Sequence, residues 1–404
     1  METKATSARS KDTSTPAKDP RPFRMVILIG LVSLFTDIAT EMVFALLPLF
    51  VVDELGANSV LLGLMEGATD AVNYTFRVVS GFITDKIAKR KPLLVVGYTI
   101  SALSKPLLGL ASNFSTALAL RLTDRVGKGT RTSARDVLLS ETIPEKQRGR
   151  AFGFHRAMDQ AGAVAGPFLA YLLVPFIGVR GVFFSSIIPG TVAVIIVVFF
   201  VHDVKVAPKS RVFNFLQNAR AVVNLRLASF LAVVGIFAAG TYSYAFVLLK
   251  AFTMGVALGD VPLIYAILNL ATVVVAIPVG IVADRIGAMK VLLIAYFFFL
   301  ATTLASLTLT YGVLYAFAIA FGFGLFLGTS DTVQRALIPS MVPEEFRGTG
   351  YALYYLVLAI SAIIANVVFG TLWNYVSIES AYTYSLATSL VGIVGFVMLL
   401  FESR

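Results

Sequence analysis

Long apolar stretches separated by short polar loops recur along the whole chain. A bilayer core of about 30 Å is crossed by about 20 mostly apolar residues in a helix, and this pattern predicts twelve membrane-spanning helices. Composition agrees, because 57% hydrophobic and 14% charged residues leave too little polar surface for a soluble domain of 404 residues. The sequence therefore predicts an all-α membrane protein. Its spans are predicted at residues 24–52, 60–84, 93–112, 114–136, 150–174, 181–201, 226–252, 261–283, 290–310, 313–337, 348–373 and 379–401.

The predicted helices fall into two similar sets of six. When residues 81–170 are displaced by 199 positions, many identical residue types coincide without a gap. Because each copy has an even number of spans, both copies have the same orientation, and the repeat is parallel rather than inverted. Such an arrangement suits a transporter that opens alternately to either side of a central site. The coincident pairs include Gly81 and Gly280, Asp85 and Asp284, Lys91 and Lys290, Gly129 and Gly328, Pro144 and Pro343, and Arg148 and Arg347.

Basic residues are concentrated on one side of this predicted topology. The net charge is +10, and the lysines and arginines crowd the N-terminal tail, the loops after the second and fourth spans, and the linker between the halves. This is the positive-inside pattern, so both termini are predicted to be cytoplasmic and the basic excess does not indicate nucleic-acid binding. The predicted divisions are a disordered cytoplasmic tail at 1–22, an N-terminal six-helix bundle at 23–201, a cytoplasmic linker at 202–225 with a short interfacial helix near Val212–Leu216, and a C-terminal six-helix bundle at 226–404.

The loop after the second span carries a family resemblance. Its sequence, Gly81-Phe-Ile-Thr-Asp85-Lys-Ile-Ala-Lys-Arg-Lys91, resembles the signature loop of the major facilitator superfamily, and a weaker copy follows at Gly280 to Lys290. The resemblance covers nearly the whole chain. It implies that Asp85 and Asp284 cap and ion-pair with helix ends of the opposite half and so latch the outward-facing state. The alternative is that these charges only mark the topology.

The fifth span carries a second resemblance. Its segment Gly162-Ala-Val-Ala-Gly166-Pro167 is similar to one that exporters of the superfamily have at this place, which favours efflux. Two glycines four residues apart also let another helix approach closely, and proline removes a backbone donor. Plain helix packing is therefore the alternative interpretation of this segment.

Ionisable residues within the first half are replaced by apolar or neutral residues at the corresponding positions of the second half. Packing symmetry does not require them, and ionisable groups inside a bilayer cost several kcal/mol unless they are paired or hydrated. We therefore predict that the first half handles protons or ions and that the second half offers an aromatic, mostly uncharged surface. The replaced pairs include Asp37 and Ile236, Glu41 and Gly240, Glu66 and Tyr265, Asp70 and Asn269, and Asp124 and Phe323.

Helical spacing places several of these residues at one depth. Asp37 and Glu41 lie on one stripe of the first span, and Asp37 lies roughly 20 Å from the cytoplasmic end at 1.5 Å per residue. The fourth span runs the other way, so its arginines reach a similar depth. The alternative is a permanent salt bridge that only holds the bundle together. The residues predicted to couple protons or bind substrate are Asp37, Glu41, Arg121, Asp124 and Arg125.

The second and fifth spans lie where the halves meet in the superfamily, so their polar residues are predicted to serve the gate and the interface. His155 is predicted either to relay protons or to form a structural hydrogen bond. The predicted gate and interface residues are Glu66, Asp70, Arg77, Asp85, Arg90, His155, Asp159, Gly162, Gly166, Pro167 and Asp284. The predicted substrate surface of the second half consists of Tyr242, Tyr265, Asn269, Phe323, Asp331 and Tyr354.

These observations predict a proton-coupled secondary transporter that works by alternating access. Aromatic rings opposite acids suit export of a small amphipathic or cationic organic compound, while the arginines of the fourth span leave uptake of an organic anion or metal chelate open as an alternative. A lipid flippase or a non-transporting receptor on the same fold is a further alternative. Two histidines and no cysteine argue against an enzyme and against a metal or other cofactor. We expect a monomer in the plasma (inner) membrane, with the small-molecule substrate, protons and the lipid bilayer as its partners and no nucleic acid.

Overall fold

The computed structural model describes residues 22–86, 89–144, 147–203, 215–343 and 346–402. Within these ranges the chain consists of helices and short turns, and none of these residues forms a β-strand. The α-helices are α1 (Pro22–Phe44), α2 (Leu47–Leu49), α3 (Ser59–Lys86), α4 (Lys91–Leu107), α5 (Phe114–Thr142), α6 (Arg148–Ser185), α7 (Ile187–Ile195), α8 (Phe215–Val222), α9 (Leu225–Gly240), α10 (Tyr244–Thr253), α11 (Val261–Ile286), α12 (Ala288–Thr308), α13 (Val313–Leu337), α14 (Arg347–Tyr375) and α15 (Ile378–Glu402).

The described residues include nine helical stretches that are long and apolar enough to cross a membrane. One of them, Arg148–Phe200, is 53 residues long and contains both the fifth and the sixth predicted spans. It is interrupted at Gly178, whose φ of 67° is readily adopted only by glycine. The second and fourth predicted spans are present as α3 and α5, of 28 and 29 residues, and both carry several ionisable residues. The count of twelve spans and the cytoplasmic termini remain predictions.

Two predictions concern polar segments that lie largely outside the described residues. The tail predicted at 1–22 falls outside them except for Pro22. The interfacial helix predicted near Val212–Leu216 overlaps the described part only at its end. There α8 begins at Phe215 and contacts α14.

The seventh predicted span is not continuous, which the hydropathy pattern did not indicate. The chain leaves the helix between α9 and α10 at Thr241–Ser243, and the Ser243 side chain accepts a hydrogen bond from the backbone N–H of Ala245. A neighbouring helix supplies a hydrogen-bond partner for one of the freed backbone groups. The side-chain Oδ1 of Asn366 in α14 accepts a 2.9 Å hydrogen bond from the N–H of Ser243. A broken helix at membrane depth is stable only where such partners or a cavity meet its backbone.

The two halves contact each other mainly through α3 with α14 and α6 with α11. A Cβ at Gly63 would lie 2.1 Å from the carbonyl oxygen of Asn366, and one at Gly370 would lie 2.3 Å from that of Ser59, so the backbones of α3 and α14 touch at this end. At the opposite end of the molecule no atom of a neighbouring element lies within 4 Å of the Cβ position of Gly153 or Gly280. The closest backbone contacts between α3 and α14 therefore lie at the Ser59 end.

Candidate functional site

The larger of two central cavities lies between the halves and has a volume of about 410 Å³. We call it the charged cavity, because most of the described side chains around it are ionisable. Helices of the first half contribute nearly all of these charges, and the second half adds mainly aromatic and amide groups. Its lining residues are Asp37, Glu41, Arg77, Lys128, Thr132, Ser133, Arg135, Asp136, Arg156, Asp159, Gln160, Ala163, Tyr265, Asn269, Arg335 and Tyr355.

Two predicted coupling residues, Asp37 and Glu41, line the charged cavity from α1. Among the described residues, neither carboxylate lies within 4.0 Å of a lysine or arginine nitrogen in an ion pair, so the structure does not show the alternative of a permanent salt bridge to α5. The hydroxyl of Tyr265 in α11 donates a hydrogen bond of 2.6 Å to Glu41. The acid is thus bonded across the boundary between the halves.

The glycines of α6 set the position of α1. A Cβ at Gly162 would lie 2.9 Å from the Cβ of Asp37, and one at Gly166 would lie 2.9 Å from the Cβ of Glu41. Pro167, which follows, is buried within α6. The close approach of α1 to α6 therefore occurs at the two turns that carry the carboxylates, and the packing interpretation of the segment accounts for its glycines.

We expect Gly166→Ala to lower the free energy of unfolding by about 1–3 kcal/mol, because the added methyl group would overlap the backbone of α1. Gly153→Ala in the same helix is the matched control, since no neighbouring atom lies within 4 Å of its Cβ position. There the better helix propensity of alanine predicts a neutral or slightly stabilising effect. Thermal unfolding of the purified variants tests this, and equal stability of the two variants would contradict the packing role.

The second cavity, of about 220 Å³, lies beside the first and is called here the aromatic cavity. Rings from both halves surround it, and its described charged residues are three acids and two arginines. Its lining residues are Glu66, Asp70, Tyr74, Arg121, Arg125, Phe237, Ala238, Thr241, Tyr242, Ser243, Tyr244, Phe323, Phe326, Leu327, Ser330, Asp331, Gln334, Tyr354, Leu358, Ala362 and Asn366.

Arg121 is the central base of the aromatic cavity. Its side chain is 1% exposed, and one Nη lies 3.6 Å from an Oε of Glu66. The same nitrogen donates a 3.2 Å hydrogen bond to the hydroxyl of Tyr244. The guanidinium also lies over the ring of Phe44, 3.5 Å from its centroid, where the face of the ring attracts a cation. Phe44 lies on the same predicted stripe of the first span as Asp37 and Glu41, but it was not predicted as a site residue.

Glu66, predicted as a gate residue, forms a second bond between the halves. The hydroxyl of Ser243, at the break between α9 and α10, donates to its Oε at 2.7 Å. Only the fold places Ser243 here, since the preceding helix break was not predicted. The stacked rings of Tyr244 and Tyr265, with centroids 4.9 Å apart, then connect Arg121 on one side with Glu41 on the other. A continuous set of polar and aromatic contacts therefore joins the two cavities.

Asp124 is the predicted coupling residue that the structure does not place in either cavity. It lies 3.1 Å from the Nζ of Lys105 in α4, and both side chains are at most 3% exposed. Ser101 donates its hydroxyl to Asp124 and accepts a 2.9 Å hydrogen bond from Lys105. Lys105 and Asp124 thus form a buried ion pair that joins α4 to α5, and Ser101 is hydrogen-bonded to both residues.

The remaining predicted gate residues occupy different places. Asp70 lines the aromatic cavity, and Arg77 and Asp159 line the charged cavity. His155 is buried, lies 2.7 Å from the hydroxyl of Ser33 and lies 3.7 Å from Asp159, which agrees with a structural hydrogen bond.

Two further residues of the predicted gate, Arg90 and Asp284, line neither cavity. Arg90 is buried, with an Nη 3.8 Å from an Oε of Glu141, and its backbone N–H donates to Asp203. The side chain of Asp85 lies outside the described part of the structure, and Asp284 is exposed. The latch role of the two aspartates remains a prediction.

All six residues of the predicted substrate surface line a cavity. Tyr265 and Asn269 lie at the charged cavity, and Asn269 donates a 2.8 Å hydrogen bond to the carbonyl of Ala163 in α6. The other four, Tyr242, Phe323, Asp331 and Tyr354, lie at the aromatic cavity. Gln334, which was not predicted, accepts a 2.7 Å hydrogen bond from the hydroxyl of Tyr354.

Comparison with known proteins identifies the family. The model of the Major Facilitator Superfamily matches residues 29–256 and 228–404. The chain belongs to this superfamily. An uncharacterized MFS-type transporter of Methanocaldococcus jannaschii is 30% identical over 397 residues, which cover 93% of this chain and 94% of the relative. The protein is therefore a multi-pass membrane protein of a transporter family, and the predicted resemblance is confirmed.

Two further similarities concern this facilitator as a whole. The multi-drug resistance efflux pump PmrA of Streptococcus pneumoniae is 24% identical over 327 residues, covering 76% of this chain and 79% of the pump. A crystal structure of the nucleoside transporter NupG superposes with a TM-score of 0.80 at 11% identity and covers 93% of this chain and 99% of that one. At this low identity, the structural similarity shows the shared fold.

Proposed function

We propose that this facilitator is a proton-coupled exporter of a small amphipathic or cationic organic compound and works by alternating access. The observation that carries the proposal is the hydrogen bond from Tyr265 to Glu41. It joins an acid of the first half to a hydroxyl of the second half at a cavity between them. A movement that separates the halves at this point breaks the bond.

The coupling follows from what happens to the acid after that bond is broken. An ionised carboxylate that loses a donor in a low-dielectric cavity rises in free energy, and proton binding lowers it again. Glu66 is held in the same way by Ser243. Protonation therefore favours the arrangement in which the halves are apart at these contacts, and proton release favours the one in which they are joined.

The aromatic cavity supports a cationic or amphipathic solute. Its described charges are the acids Glu66, Asp70 and Asp331 against the bases Arg121 and Arg125, and rings line much of the remainder. Acids and ring faces both attract an organic cation. The similarity to an efflux pump supports the outward direction. We further propose that the protein acts as a monomer in the plasma membrane.

The proposal is tested by proton movement in proteoliposomes that contain a pH-sensitive dye. Addition of an organic cation such as ethidium is expected to cause proton flux with the wild-type protein. Asp37→Asn is expected to lower this flux about tenfold, equivalent to roughly 1.4 kcal/mol, because the cavity loses one of its proton-binding acids. Asp53→Asn is the matched control, as Asp53 is an exposed residue of the short helical turn Phe50–Glu54 and lines neither cavity. Cation binding without any wild-type flux would instead support a receptor.

A second function has one observation in its favour. The charged cavity is lined by the bases Arg77, Lys128, Arg135, Arg156 and Arg335 but by one fewer acid among the described residues. This excess suits uptake of an organic anion or a metal chelate. Inhibition of transport by organic anions that disappears in Lys128→Ala, which removes one base of the charged cavity, would favour this carrier over the exporter.

A further inference from the structure

The contact between α3 and α14 changes character along its length. Near Ser59 the backbones touch at glycines, and a Cβ at Gly67 would lie 2.9 Å from the Cα of Ile363. Further along, the helices are held apart by the stacked rings of Tyr74 and Tyr355, whose centroids are 5.7 Å apart. In this part of the interface, α3 and α14 therefore contact each other through a pair of stacked rings and not through their backbones.

An apolar pocket of about 220 Å³ lies on the outer side of this ring pair. Val79 and Leu356 at the pocket are 39% and 48% exposed, so in a membrane-spanning protein they face lipid. The described residues that line the pocket are Tyr74, Thr75, Val78, Val79, Ala352, Tyr355 and Leu356.

The two tyrosines are shared between this pocket and the central cavities. Tyr74 also lines the aromatic cavity, and Tyr355 also lines the charged cavity. The ring pair is thus the partition between the lipid-facing pocket and the interior. The guanidinium of Arg77, which lines the charged cavity, lies over the ring of Tyr355 at 5.8 Å from its centroid.

The depth of the pocket selects one leaflet. Tyr74 follows Ser59 by 15 residues, or roughly 22 Å along a helix about 42 Å long. The pocket residues of α3 continue from there to Val79, so the pocket extends from the middle of the membrane toward the basic loops.

On these grounds we infer that the Tyr74 and Tyr355 pair is a lateral portal, through which a cationic amphipathic solute dissolved in the leaflet enters the aromatic cavity. The apolar part of the solute occupies the pocket. Its cationic group passes the rings, which attract cations. It then reaches Asp70 and Glu66, which precede Tyr74 in α3 by one and two turns and line the aromatic cavity. The inference rests on the proposed export function and adds that the substrate is taken from the lipid rather than from water.

The test uses two cations that differ in membrane solubility, the lipophilic tetraphenylphosphonium and the water-soluble methyl viologen, with the full chain in proteoliposomes. Leu356→Trp fills the pocket without altering a residue that lines either central cavity. Its transport of tetraphenylphosphonium is expected to slow about tenfold, at the lower end of the range over which mutations change association rates. Transport of methyl viologen should stay at the wild-type rate.

Ile360→Trp is the matched control, because Ile360 is 53% exposed and lies one turn further along α14 outside the pocket. It should leave both rates unchanged. Equal rates for Leu356→Trp and Ile360→Trp, with an active wild-type protein, would overturn the portal and leave the proposed function intact. A wild-type protein that moves neither cation would overturn both.

A second measurement does not depend on transport rates. The chain has no cysteine, so Thr75→Cys introduces a single thiol at the pocket. Tetraphenylphosphonium is expected to slow modification of this thiol by N-ethylmaleimide but not that of Ile360→Cys. Equal reactivity of Thr75→Cys with and without the cation would contradict its passage here.

Discussion

Lys105→Met is expected to destabilise the protein by about 3–5 kcal/mol, the usual cost of removing one partner from a buried ion pair. The variant leaves Asp124 ionised and buried, with only the hydroxyl of Ser101 as a close partner among the described residues. One of its carboxylate oxygens already lacks a hydrogen bond in the described structure. Thermal unfolding of the purified protein, followed by the fluorescence of its single tryptophan, measures the loss.

The control variants separate charge from size. Lys290→Met removes an exposed lysine of α12 and should leave stability nearly unchanged. Lys105→Met combined with Asp124→Leu removes both charges and should recover most of the loss, since a buried pair is often replaced by apolar residues at little cost. If the double variant were less stable than Lys105→Met, the pair would not be the cause.

Glu41→Gln is expected to lower substrate-dependent proton flux about a hundredfold, which corresponds to roughly 2.7 kcal/mol. Glutamine keeps an oxygen that accepts the hydrogen bond from Tyr265, but it cannot bind a proton at the cavity. The loss would therefore report the titration of the acid rather than the contact between the halves. Flux in proteoliposomes with a pH-sensitive dye measures it.

Tyr265→Phe is the complementary variant. It removes the hydroxyl and keeps the ring that stacks on Tyr244, so proton flux should persist while the halves separate more readily at this point. A net hydrogen bond to a charged group contributes about 1.5–3 kcal/mol, enough to shift the conformational equilibrium. If Glu41→Gln retained wild-type flux and Tyr265→Phe lost it, the hydroxyl would be the coupling group and the role of Glu41 would be wrong.

Helical periodicity predicted the polar face of α1 from the sequence alone. Asp37 and Glu41 share a stripe, and the structure places both at the charged cavity. The same reasoning placed Asp124 with Arg125, yet Asp124 bonds to Lys105 in α4 while Arg125 lines the aromatic cavity. Neighbouring residues of a helix point about 100° apart. Which neighbouring helix each of them meets depends on how α5 is rotated within the bundle.

The break between α9 and α10 is a second limit of the hydropathy pattern. Residues around Thr241–Ser243 are apolar enough for a continuous span, but Asn366 and Tyr384 provide partners for the backbone groups that the break exposes. The break carries Ser243 to the aromatic cavity, where it bonds Glu66. A sequence window reports the transfer free energy of its own residues and not the partners offered by a distant helix.

The sequence by itself determined that this chain is a helical membrane protein built from two copies of one unit, with most of its ionisable residues in the first. Those properties follow from the free energy of transferring each residue into lipid and from a repeat that is visible residue by residue. Only the tertiary structure decided the pairs that define the site, such as Tyr265 with Glu41 and Tyr74 with Tyr355. The first pair is separated by 224 positions, and its members meet because the packing and rotation of whole helices bring their side chains to one cavity.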